Sequence, residues 1–341
     1  MANMNALYEV HQYQKPQVNL SCSTPIRMWL VALCALLAVV QSSLSDGFSS
    51  LFLALAAVLT AVLTEFLILK KSDRISLLKD GSAVASALVL TLLLPNRINP
   101  VFACFGAVFA IAIIKHSFGG LGSNWLNPAA GAWLFIRLSW PNAFNQALES
   151  SSAEVIHARD FILNQNSILD SFRLFLNSTV FSFVRAELPG PYLNLFLSGR
   201  PGIIADRGIL ALLLGTIIIS AFQASRIWVP AVWLGVFVLI TRLAGALPHG
   251  GGWWEGDILY TLLTGGTLVS AFILAADPVT SAKSSWGIIG AAILGAFLAW
   301  FFRFPGAEPY GAVFSIVFIN ALLPMVRNIE NSGLYEKRRK P

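Results

Sequence analysis

Two short apolar segments, roughly 180 residues apart, share one layout and limit what this chain can fold into. The first runs Asp80-Gly-Ser-Ala-Val-Ala-Ser-Ala-Leu-Val-Leu-Thr-Leu-Leu-Leu-Pro95, the second Thr264-Gly-Gly-Thr-Leu-Val-Ser-Ala-Phe-Ile-Leu-Ala-Ala-Asp-Pro278. Each opens on glycine and hydroxyl residues, stays apolar for about ten positions and stops at proline. At roughly 1.5 Å per residue, a helix of that length crosses only half to two-thirds of a hydrocarbon core roughly 30 Å thick. Paired Gly/Pro-bounded segments of this kind, in corresponding halves, are expected of an internally duplicated membrane protein with a central site.

Composition places the chain in a bilayer. Hydrophobic residues make up 56%, charged residues only 12%, and the mean hydropathy is +0.70, against roughly 25% charged in soluble domains. The net charge of +6 comes from basic residues at segment ends rather than one patch, which argues against nucleic acid. Cys22, Cys34 and Cys104 are far apart and show no metal or redox spacing. There is no nucleotide fingerprint, P-loop, zinc motif or hydrolase triad.

Apolar windows predict ten membrane segments, near 28–45, 47–69, 81–95, 98–114, 128–141, 206–223, 227–247, 258–276, 284–302 and 310–326. With the N-terminus inside, fourteen Lys and Arg fall on the cytoplasmic side and seven outside, most of these seven in or beside the long 142–205 connection. Both termini are therefore expected in the cytoplasm. Five segments precede that connection and five follow it, so the second half inserts upside down relative to the first. The expected fold is an all-α polytopic membrane protein: a tail (1–26), a five-helix repeat (27–141), an outer loop (142–205), an inverted second repeat (206–326) and a basic tail (327–341). Helix N-termini near Gly81 and Gly265 would then favour an anionic or electron-rich group, while glycine and serine there serve equally well for close helix packing.

After the fourth segment comes Lys115-His-Ser-Phe-Gly-Gly-Leu-Gly-Ser-Asn-Trp-Leu-Asn-Pro-Ala-Ala-Gly131, too polar to face lipid and so expected to line a cavity or be buried in protein. The candidate cavity and broken-helix residues are Gly81, Ser82, Gly119, Gly120, Gly122, Asn124, Asn127, Gly265, Gly266, Thr267 and Asp277. Together with Phe304-Pro-Gly-Ala-Glu-Pro-Tyr-Gly-Ala-Val-Phe and Asn320-Ala-Leu-Leu-Pro324, these runs resemble, over residues 25–330, one family of membrane subunits. It comprises the D subunit of the Rnf ion-translocating electron-transport complex and the B subunit of sodium-translocating NADH:quinone reductase. The resemblance implies a flavin-carrying subunit in the inner membrane, with other membrane and peripheral subunits of an Rnf/Nqr-type complex as partners and Na+ or H+ as the ion. In this family FMN is usually joined by a phosphoester to a threonine of the outer loop, and relatives also hold riboflavin. Here the matching stretch reads Asn164-Gln-Asn-Ser-Ile-Leu-Asp-Ser-Phe-Arg173, which places Ser167 where the threonine should stand, with Thr179 as second choice.

The remaining charges read more plainly. Glu65 is expected to form an interfacial pair with Lys70 and Lys71, and Arg137 and Arg242 to reach the interface from segment ends. His116 and His249 also sit at segment ends. Asp277 is expected to hold the broken-helix geometry or bind a cation, and Trp253 and Trp254 to form part of an interfacial belt. A solute channel of inverted-repeat fold and a flavin-free scaffold subunit remain the competing functional readings.

Overall fold

The computed structural model describes residues 23–69, 79–117, 119–150, 175, 178–179, 202–222 and 228–339. Helices α1 (Thr24–Asp46) and α2 (Ser49–Ile68) are followed by the short α3 (Ser82–Leu92). Then come α4 (Pro100–Val108), prolonged as a π-helix over Phe109–His116, and α5 (Pro128–Ser139) and α6 (Pro141–Ser150). Beyond the long connection lie α7 (Ile204–Arg207), α8 (Ile209–Ala221), α9 (Trp228–Ala244) and α10 (Ile258–Leu263). The chain closes with α11 (Thr267–Val269), again prolonged as a π-helix over Ser270–Leu274, then α12 (Ser285–Arg303) and α13 (Gly311–Arg339). Every one of the ten expected segments holds helix. Four helices are long and apolar enough to cross a membrane: Thr24–Ser45, Ser49–Ile68, Ser285–Arg303 and Gly311–Asn328. Four more apolar helices are shorter, Ser82–Leu92, Pro100–His116, Ile209–Ala221 and Trp228–Ala244. There is no β-strand among the described residues.

Local sequence explains where these helices begin. Asn99-Pro100 and Asn127-Pro128 are the same device used twice: the asparagine side chain accepts backbone N–H groups that have no partner inside the helix, and proline at the first helical position has none to offer. Asn99 Oδ1 accepts from Val101 N at 3.0 Å, and Asn127 Oδ1 from Ala129 N and Ala130 N at 3.0 and 3.3 Å.

The first short segment is a half-helix. Helix α3 has 11 residues and almost its whole surface is buried, so it lies among the other helices rather than against lipid. The second is broken: α10 stops at Leu263, Gly265 and Gly266 take positive φ of 69° and 66°, and the chain turns helical again at Thr267. Residues 202–208 connect the two. Ile204 N donates to Leu94 O at 2.9 Å, where the first segment ends, and Pro95 pairs with Ile203. Two residues later, Asp206 accepts from the N–H groups of Gly265 and Gly266 at 3.0 and 2.8 Å, where the second resumes.

Helices α1 and α8 approach closely because small residues line their contact. A Cβ on Gly215 would lie 2.2 Å from Cys34 Sγ, and one on Gly208 2.5 Å from the Ala38 carbonyl. Such contacts let backbones touch where lipid offers no hydrophobic drive. Gly215→Val is expected to destabilise the purified protein by about 1–3 kcal/mol or more, as overpacking does, read as a lowered unfolding temperature in detergent. Valine at Gly235, which faces open space, should leave it nearly unchanged.

Candidate functional site: a polar cavity at the broken-helix ends

The start of α3 is held by charged groups from three other parts of the chain. Gly81 has φ of 72°, and a Cβ there would press into the Trp29 indole at 2.7 Å, so the position admits only glycine. Asp80 Oδ1 accepts from Ser82 N at 2.7 Å and from Ser82 Oγ at 2.6 Å. The Lys115 ammonium donates to Ser82 Oγ and to Glu65 Oε1. Glu65 Oε1 also lies 3.3 Å from His116 Nε2. Glu65 and Lys115 are each about 2% exposed, a burial that charged side chains tolerate only when paired.

The end of the second segment meets the start of α5. Asp277 Oδ1 accepts from Val279 N at 3.1 Å, and Oδ2 from Thr280 Oγ1 at 3.0 Å and Asn127 Nδ2 at 3.1 Å. Asn127 thus caps its own helix with its oxygen and ties a residue 150 positions away with its nitrogen. Turned to satisfy both ends of its amide, Asn320 donates to Thr280 O at 3.3 Å and accepts from Asn127 N at 3.2 Å.

Between these two ends lies a cavity of about 80 Å³, lined by Arg27, Ser82, Lys115, Asn124, Asn127 and Asp277 among apolar side chains such as Val89, Phe272 and Ile273. That space holds several waters or the polar edge of a ring. Asn124 is buried, and its Oδ1 has no hydrogen-bond partner among the described residues. An unpaired buried acceptor is costly, so the site is prepared for a donor from a ligand or water. Two π-helical turns, 109–116 at the end of α4 and 270–274 in the second short segment, border the cavity through Lys115, Phe272 and Ile273, a placement common at functional sites.

Of the residues singled out in the sequence, Ser82, Asn124, Asn127 and Asp277 therefore converge. Gly119, Gly120 and Gly122 form the loop leading to them, all with positive φ (105°, 90° and 98°). Gly265, Gly266 and Thr267 do not join them. They sit at the opposite end of the segment, where Arg303 Nη1 donates to Thr261 O (2.8 Å), Thr264 O (2.9 Å) and Thr267 Oγ1 (3.0 Å). The anionic groups expected at the two N-termini are the chain's own, Asp80 and Asp206. Glu65 takes Lys115 and His116 as partners; Lys70 and Lys71 lie outside the described residues. Arg137 pairs with Glu308 at 3.1 Å and stacks over Phe144 at 5.2 Å rather than reaching out alone, and Arg242 Nη1 donates to Gly256 O at 3.2 Å. Ser167 lies outside the described residues, and Thr179 is exposed.

Sequence comparison then decides the kinship. The profile of the NQR2, RnfD, RnfE family matches residues 11–335. The chain belongs to this family. Among its relatives, the D subunit of the proton-translocating ferredoxin:NAD(+) oxidoreductase complex of Clostridium ljungdahlii is 28% identical, covering 95% of each chain. The D subunit of the Na(+)-translocating complex of Acetobacterium woodii is 27% identical, covering 94% of this chain and 93% of its own. The D subunit of an ion-translocating oxidoreductase complex of Shewanella amazonensis is 30% identical over 91% and 93%.

Below the cavity, the family member's last helix latches the loop that follows Asp277. Glu330 accepts from Ser284 N, Ser284 Oγ and Lys283 N at 3.1, 2.5 and 3.1 Å, and Arg327 Nη2 donates to Val279 O and Ser281 O at 2.6 and 2.8 Å. Partial desolvation pulls the Glu330 carboxyl up, but these hydrogen bonds outweigh it and hold it below its usual range. A depressed carboxyl contributes stability above its unfolded value, about 4.3, and loses it as pH falls through the folded one.

The buried ion pair gives the sharpest test of the site. Glu65→Gln leaves the Lys115 ammonium buried without its counter-charge and should cost about 3–5 kcal/mol, and Lys115→Met, which leaves Glu65 only His116, should cost less. The double substitution should recover much of that loss in thermal unfolding of the purified protein. Additive losses would mean that the pair does not exist.

Proposed function

We propose that this chain is a flavin-carrying integral membrane subunit of an ion-translocating oxidoreductase complex of the Rnf type, passing electrons between partner subunits and coupling that flow to movement of Na+ or H+. The observation that carries the reading is the match to the family over residues 11–335, together with relatives that are the D subunits of such complexes. In this reading the ten helical segments form two inverted five-helix repeats, both termini face the cytoplasm of the inner membrane, and 142–205 lies outside. A pseudo-symmetry in the polar contacts supports the inverted repeat. In each half, a basic residue near the end of the fourth segment, Lys115 or Arg303, donates to a hydroxyl at the start of the helix that the third segment ends on, Ser82 or Thr267.

The cavity then faces the cytoplasmic side, because α3 begins there. Its lining suits the polar edge of a flavin: Asn124 Oδ1 offers an acceptor for an N–H or hydroxyl, and Lys115, fixed by Glu65, sets a positive charge beside it. A bound flavin supplies the redox chemistry. The chain's share is to hold it, to fix the charge next to it and to limit water. Covalent FMN is a separate flavin from one in this cavity and belongs on Ser167 in the outer loop, where Arg173 would help neutralise its phosphate.

A flavin-free scaffold and a solute channel make different forecasts. Purified from its complex and run on a denaturing gel, the subunit should carry flavin fluorescence that Ser167→Ala removes and Ser167→Thr preserves. Fluorescence that survives the alanine change would move the link elsewhere, Thr179 first. A wild-type subunit without flavin, in a complex fully active in electron transfer, would leave the scaffold reading. Electron transfer measured alongside sodium uptake and proton release then identifies the ion.

A further inference from the structure

The segment Ile203–Arg207 is short, largely buried and belongs to neither half-helix, yet it is bonded to both. At one end, Ile204 N donates to Leu94 O at 2.9 Å, and Pro95 bridges to Ile203. These are the last residues of the first short segment. At the other end, the Asp206 carboxylate spans the N–H groups of Gly265 and Gly266 at 3.0 and 2.8 Å. These are the first residues of the resumed second segment. The side chains add to the join: Ile203, Ile204 and Ala205 are almost fully buried, and a Cβ on Gly266 would meet Ile203 Cδ1 at 2.9 Å.

Neither anchor is replaceable by water in an apolar interior. Leu94 O lies just past the C-terminus of α3, and the Gly265 and Gly266 N–H groups at the turn where the second segment becomes helical again, so none of them has a partner inside a helix. Each such group, buried without a partner, costs about 1–3 kcal/mol. A movement of either half-helix along its axis must therefore carry the strut with it or forfeit these bonds. The opposite ends of the same two half-helices, Ser82 and Asp277, line the cavity.

We infer that Ile203–Arg207 is a coupling strut that makes the two half-helices shift as one body, with Asp206 as its positioning residue, so that a change of charge in the cavity is felt at the far end of both. This rests on the function proposed above, because its consequence is that ion movement follows electron flow only while the strut is intact. Asp206 touches neither the cavity nor any reacting group; it acts by holding Gly265 and Gly266.

Two variants cut the strut at different ends. Ile204→Pro removes the N–H that reaches Leu94 while suiting the start of α7, since proline is tolerated at the first helical position and Ile203, with φ of −75° and ψ of 161°, already has the extended backbone that precedes proline. Asp206→Asn leaves one acceptor oxygen where two were used, and Asp206→Glu keeps the charge as the rescue variant. In the complete complex, reconstituted in vesicles, ions moved per electron are read from radioactive sodium uptake and a pH-sensitive dye. Each single variant should lower that ratio at least about threefold with the electron-transfer rate within about twofold of wild type, the double variant should be no worse than either single, and Asp206→Glu should recover part of the ratio. Two cuts in one strut do not add; two unrelated structural defects do.

Amide exchange on the same complex reads the strut without reference to transport. Ile204→Pro should speed exchange in residues 264–270, and Asp206→Asn in 93–98, each at the end it does not touch. An unchanged ratio in both singles, losses that multiply in the double, or exchange confined to each variant's own end would overturn the strut. A wild-type complex that transfers electrons without moving ions, while the cross-strut exchange effect persists, would instead overturn the proposed function.

Discussion

A helix that starts or stops inside an apolar interior leaves up to four N–H groups at one end and four carbonyls at the other without partners, and no water replaces them. The polar architecture of this chain is organised around that constraint. At the break in the second segment, the Arg303 guanidinium covers the carbonyls of Thr261 and Thr264 while the Asp206 carboxylate covers the N–H groups of Gly265 and Gly266. Positive charge meets the negative end of one helix and negative charge the positive end of the next, the arrangement that helix dipoles favour. Asp80 does the same for the start of α3, while the neutral Asn127 amide caps α5 and the Ile204 N–H covers Leu94 O at the end of the first segment.

Those end-caps also explain why a cavity exists where it does. The groups needed at the start of α3 and at the end of the second segment bring Lys115, Glu65, Asn127 and Asp277 within a few residues' width of one another. Paired buried charges contribute little net stability against apolar packing, but each is expensive to leave alone. A network of this kind is therefore better suited to registering a new charge in the cavity than to strengthening the fold. Asn124 Oδ1 and Arg27 Nε, both in the lining, are buried without a hydrogen-bond partner among the described residues.

Much of this is legible in the residues. The two Gly-to-Pro segments announce short and broken helices, and the polarity of 115–131 announces a lined cavity; Ser82, Asn124, Asn127 and Asp277 do meet there. What escapes are the partners. Lys115 reads from sequence as one more basic residue on the cytoplasmic side, and Glu65 as a neighbour of Lys70 and Lys71, because charge counting sees only residues adjacent along the chain. Their pairing across 50 positions follows from α2, α3 and the end of α4 lying side by side, which no period in the sequence encodes. Asp206 and Arg303 are hidden for the same reason, at the edges of apolar windows where a charge normally reaches for water. That Gly265, Gly266 and Thr267 lie at the end of the second segment opposite Asp277 and the cavity likewise depends on length in three dimensions.

Membership of the NQR2, RnfD, RnfE family gives this geometry its setting, and the cavity is shared by residues from the N-terminal and C-terminal parts of the chain. That sharing rests on the bond between Asn127, entering the fifth segment, and Asp277, ending the eighth. A double-mutant cycle on this pair tests it most directly: Asn127→Ala, Asp277→Ala and both together, with unfolding of the intact complex followed by temperature. The expected coupling energy is at least about 1 kcal/mol, as for residues joined in one polar network. Losses that add to within about 0.5 kcal/mol, the behaviour of independent sites, would contradict it.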